Sequence, residues 1–109
     1  MTESSQAGLA GVVSEIRRRP ALYLGGSSIW QLEAFLGGLL HARSVFGLTS
    51  DAAWDGIEER FRDFVAEKYG VTSSQSWAKI IFFFCEDDHE ALTRFFALFD
   101  EFLGRSRPS

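Results

Sequence analysis

The chain has 109 residues, of which 46% are apolar and 15% aromatic, enough for one core and too few for a second domain. Its formal net charge of −4 is uneven: residues 1 to 49 carry four basic and three acidic side chains, residues 50 to 103 five basic and twelve acidic. That balance argues against a phosphate-backbone ligand for the C-terminal half. A lone cysteine excludes an internal disulfide framework, and no uncharged apolar run reaches the roughly 18 residues of a membrane span, so a soluble cytoplasmic protein is expected.

Residues 1 to 6 are small and polar and are expected to fray. A first helix is predicted from Ala7 to Arg19, with Leu9, Val12, Val13 and Ile16 on one side. Gly8 and Gly11 weaken it, and Pro20 should end it because the residue before proline is pushed out of helical angles. Ala21 to Leu24 reads as an apolar link and Gly25-Gly26 as a turn. Ser28 and Gln31 form a capping-box pattern opening a second helix, whose buried stripe is Ile29, Leu32, Phe35, Leu36, Leu39 and Leu40. Gly37 and Gly38 inside it cost about 1 kcal/mol each relative to alanine, which predicts close approach of a neighbouring helix.

Gly47 closes that element. A third helix is predicted from about Asp51 to Tyr69, with Trp54, Ile57, Phe61, Phe64 and Val65 inward and Gly70 as its stop. After a loop over 71–75, the run Trp77 to Cys85 fits a buried strand or a buried helix by composition; helix is the expectation, since no second strand offers itself as a partner. The stretch from Ser76 to Leu103 holds seven of the eleven phenylalanines. Its second half repeats apolar side chains at Leu92, Phe95, Phe96, Phe99, Phe102 and Leu103, the spacing of an amphipathic helix, started by a capping box of Asp87 and Glu90. Residues 104–109 look like a tail. The expected architecture is all-α: one domain over residues 7–103, a compact bundle of about five helices.

Chemistry-bearing patterns are sparse. Asp55, Glu59, Asp63 and Glu67 recur every fourth residue and form a carboxylate ridge on the third predicted helix; each like-charge pair opposes the helix by about 0.2 to 0.5 kcal/mol. A basic protein partner would make use of such a ridge, and Glu86, Asp87 and Asp88 offer a second acidic patch. The Cys85 to His89 knot contains ligand-type side chains, yet five consecutive residues cannot converge on one ion, and helix capping explains its carboxylates. No metal, no cofactor and no catalytic residue is therefore assigned. Arg17-Arg18-Arg19 reads as a helix C-terminus, where cations are favoured, and not as a nucleic-acid site.

Two resemblances bear on function. The segment Ile16 to Gly25, IRRRPALYLG, resembles the RKRPxMYIG stretch near the start of GHKL-type ATPases such as gyrase B. Neither the catalytic Glu and Asn helix nor the DxGxG motif of that family follows, so ATP binding is rejected. A broader likeness runs through IRxRPxxYLGxxSIxxLxAFLxG from Ile16 to Gly38, FxxFVxxKYG from Phe61 to Gly70, SWxxII from Ser76 to Ile81 and EALxxFFxLxDEF from Glu90 to Phe102, with Leu39 departing from the pattern. In these positions the chain is similar to small bacterial immunity proteins of polymorphic-toxin systems of the Rhs or contact-dependent-inhibition kind. The resemblance implies a non-catalytic protein that occludes the active site of a cognate toxin domain. From the charge balance and the lack of a long apolar run no nucleic-acid or membrane partner is expected, and the chain is expected to be a monomer or weak homodimer. The alternatives are a ligand-binding or enzymatic domain with a pocket near Tyr23, His41 and Trp77, and a subunit that self-associates through the Phe-rich last helix.

Overall fold

The computed structural model describes residues 8–47 and 54–106, with side chains as far as Gly104. Six helices follow in chain order: α1 Gly8–Arg18, α2 Pro20–Leu24, α3 Ile29–Val45, α4 Ile57–Tyr69, α5 Trp77–Phe83 and α6 Asp88–Ser106, and no strand occurs among the described residues. The all-α class is as expected, and the Ile80 to Phe84 run is helical until Phe83.

The sixth helix comes from Pro20. Helix α1 does end one residue short of Arg19, but the proline then occupies the first turn of α2, where its missing N–H costs nothing and its fixed φ suits a helix. The expected link over Ala21–Leu24 is therefore a short helix, closed by Gly25 at φ 77°, whose N–H bonds the Ala21 carbonyl at 3.0 Å. Helix α4 starts at Ile57, later than expected, and the predicted start at Asp51 lies outside the described residues, as does the polar stretch 1–6. At the other end α6 runs through Ser106, past the expected start of the tail; residues 107–109 of that tail are outside the described residues.

Caps act largely where the sequence places them. The Asp87 carboxylate accepts the Glu90 N–H at 2.8 Å, while Glu90 reaches back to the N–H of Glu86 at 2.8 Å. Ser28 Oγ accepts the Trp30 N–H at 3.0 Å, but the Gln31 side chain lies against Gly26 and does not complete a box. Ser76 caps α5 by accepting from the Lys79 N–H.

Helix α6 supplies the floor of the core through Ala91, Leu92, Phe95, Phe96, Leu98, Phe99 and Phe102, all buried. Phe61 of α4 is its hub: it meets Trp77, Phe95, Phe99 and Phe102 edge-on with ring centroids 5.4 to 5.6 Å apart, and stacks on Phe64 at 6.3 Å. Edge-to-face pairs let the positive rim of one ring meet the negative face of the next, which adds specificity to area burial. Ile16 of α1 and Ile29 and Leu32 of α3 close the other side. Two surface ion pairs tie neighbours to α6, Arg17 to Asp100 at 2.8 Å and Lys68 to Glu101 at 2.5 Å; exposed as they are, each contributes at most about 1 kcal/mol.

Among the described residues, the expected close neighbour at Gly37 and Gly38 is not found. A Cβ built on Gly37 meets nothing nearer than Glu58 Oε2 at 4.0 Å, and one built on Gly38 meets nothing within 4 Å. The expectation of close packing rests on the cost of a helix-interior glycine; among the described residues that cost has no counterpart.

Candidate functional site: an acidic groove between α3 and α4

Helices α3 and α4 both pack on α5 and α6 but scarcely meet each other, so a groove runs between them. Leu36 and Leu40 of α3 and Ile57 and Phe61 of α4 form its walls, and Trp77, Phe95 and Phe99 lie at its base in a crevice of about 20 Å³, room for a single water. Gly37 faces the same opening, since the nearest atom to its missing side chain is the Glu58 carboxylate. Toward one end the groove widens into a hollow of about 180 Å³ lined by Glu33, Glu58, Glu59, Arg62, Ser76 and Trp77. Toward the other it opens into one of about 410 Å³ bordered by Leu40, Arg43, Trp54, Asp55, Glu58 and Glu59 among others. Glu58 borders all three spaces.

The charges around this groove are unbalanced because the nearby arginines are committed elsewhere. Arg62 donates to the Ser73 carbonyl at 2.6 Å and to Asp63 at 2.6 Å. Arg43, its side chain only 13% exposed, lies over the Trp54 ring at 5.2 Å and pairs with Asp55 at 3.3 Å. Arg60 donates to the Asp55 carbonyl at 2.9 Å. Among the described residues, no cation is paired with Glu33, Glu58 or Glu59. Three carboxylates thus border an aromatic-floored opening, a setting that attracts a cation carried on an apolar stem, as in arginine or lysine.

The anticipated ridge is only partly assembled. Asp55 precedes α4 and lies in the turn before Gly56, so it does not continue the helical row. Glu59, Asp63 and Glu67 are exposed on α4, with Asp63 held by the adjacent Arg62 and Glu67 without a described partner. Glu33 and Glu58, which periodicity on the fourth-residue row does not select, complete the groove; Glu58 was legible only as the acidic neighbour of Glu59 at a helix start.

In the second acidic patch, Asp87 is occupied as a cap while the Glu86 side chain is exposed and Asp88 opens α6. Partial burial pushes the nearby Cys85 thiol above its ordinary value; Arg94 opposes the rise, and Glu90 and Asp87 add to it. Among the described residues no group of three or more His, Cys, Asp or Glu side chains is disposed to hold a metal ion. Tyr23, His41 and Trp77 are not drawn to one pocket: Trp77 is buried at the groove base, Tyr23 sits edge-on to Phe35 at 6.3 Å, and His41 is exposed on α3. No helix of the described residues is long and apolar enough to cross a membrane.

Comparison with protein-family models, with curated proteins and with solved structures gives no match.

Proposed function

We propose that this protein is a non-catalytic binding domain of the immunity type, which neutralises a cognate bacterial toxin domain by covering a basic active-site face, and that the α3–α4 groove is its contact surface. The observation that carries this reading is the set Glu33, Glu58 and Glu59, which have no cation partner among the described residues and border the groove whose base holds Trp77. A toxin that acts on nucleic acid or another anionic substrate has a basic site, and an acidic inhibitor matches it. Such matching raises the association rate and selects the partner. Glu59 and Glu67 of the α4 row extend the acidic face, while Asp55 and Asp63 serve internal pairs; Asp87 and Asp88 form a secondary contact. The resemblance to immunity proteins of polymorphic-toxin systems gives the partner its class.

The test is to sequence the genes flanking this one, co-express any toxin domain found there and measure its binding by stopped flow. The double variant Glu58→Lys with Glu59→Lys should slow association by about tenfold or more at low salt and lose protection of the host cell. Asp88→Lys should act more weakly. Undiminished association of the double variant would overturn the reading, as would the absence of any basic toxin domain that binds the wild type.

A further inference from the structure

We propose that a second surface, at the end of α5, makes a two-fold symmetric contact with another copy of this chain. The run Phe82-Phe83-Phe84 divides sharply. Phe82 turns inward and meets Trp30 at 5.2 Å, whereas Phe83 is 79% exposed and Phe84 41% exposed. The two outer rings are not loose: Phe84 stacks flat on Tyr69 at 4.3 Å with an interplanar angle of 1°, Phe83 stands edge-on to Phe84 at 5.1 Å, and Arg94 donates to the Tyr69 hydroxyl at 3.0 Å. An apolar surface fixed in this way loses little conformational freedom on docking.

Beside the projecting ring lies a hollow of about 510 Å³ lined by Val71, Ser73, Gln75, Lys79, Ile80 and the two phenylalanines themselves. One surface therefore carries both an apolar projection and a recess of mixed lining, with Val71 and Ile80 beside Ser73, Gln75 and Lys79. That is the self-complementarity an isologous interface requires, since under a two-fold axis the ring of each copy enters the recess of the other. The charges follow the same rule. Lys79 and Glu86 stand before and after Phe83 in the chain, both exposed, and neither side chain has a partner among the described residues. A uniformly basic or acidic partner would satisfy one and oppose the other, whereas a second copy meets each with its opposite. This surface is distinct from the α3–α4 groove in the residues that line it.

The experiment is sedimentation equilibrium of the full chain from about 1 to about 200 μM, the range in which a small interface of this kind associates. The mean mass of the wild type should rise from 12.2 kDa toward twice that value. Phe83→Ser, at an exposed position, should keep its helical circular dichroism and remain at the monomer mass throughout. Lys79→Glu and Glu86→Lys should each weaken association several-fold, and the two together should restore it. Glu58→Lys with Glu59→Lys should leave the self-association unchanged, which separates this contact from the proposed toxin-binding groove. A wild type that stays at monomer mass across the range overturns the proposal, and so does a double charge swap no better than its single parents.

Discussion

Single positions show what the fold demands and what it merely tolerates. Gly38 of α3 is not among the glycines at positive φ and has open space where a side chain would be, so its cost to the helix is uncompensated among the described residues. Gly38→Ala should therefore stabilise the protein by about 0.5 to 1 kcal/mol, read as a higher urea midpoint with unchanged slope. Gly37→Ala should stabilise it similarly, because a methyl 4.0 Å from Glu58 Oε2 is an ordinary contact. If the groove receives a partner, that variant binds less well while folding better; gain in both stability and binding would count against the groove. Both glycines were legible in the sequence as anomalies, and close internal packing was the wrong resolution. A helix-interior glycine records that something must come near, and local pattern does not say whether that neighbour belongs to the same chain.

At the level of elements, α6 was the most legible part of the chain and α2 the least. Six apolar side chains at helical spacing, a capping carboxylate and an acidic first turn all agree over Asp87 to Leu103, and five of those six side chains are buried. Asp87→Ala removes the cap from the Glu90 N–H and should lower stability by about 1 kcal/mol, measured by denaturant unfolding, with Asp87→Asn losing less because its amide oxygen still accepts. Over Pro20 to Leu24 the sequence was misread because proline both stops one helix and starts another, and five residues show no period. The position of Asp55 was misread for a related reason: a fourth-residue row presumes that the helix is already running, and α4 begins only after Gly56 at φ 65°.

For the whole molecule the aromatic hub sets the stability. Phe61 touches five other rings from a buried position between α4, α5 and α6, so Phe61→Ala should cost about 3 to 5 kcal/mol, whereas Phe83→Ala on the surface should cost little. Urea titrations of the two variants compare core with surface directly, and equal losses would show that the hub is not where the fold is held. The sequence alone determined the all-α class and most of the inward faces, because apolar spacing acts within one helix and needs no knowledge of its neighbours. It also determined that the C-terminal half is acidic. Only the tertiary structure decided which carboxylates have no cation partner among the described residues and where α3 and α4 stand apart. An arginine side chain is long enough to reach any of several acids or carbonyls, and the choice among them, like the gap between two helices, depends on how the elements pack against α5 and α6.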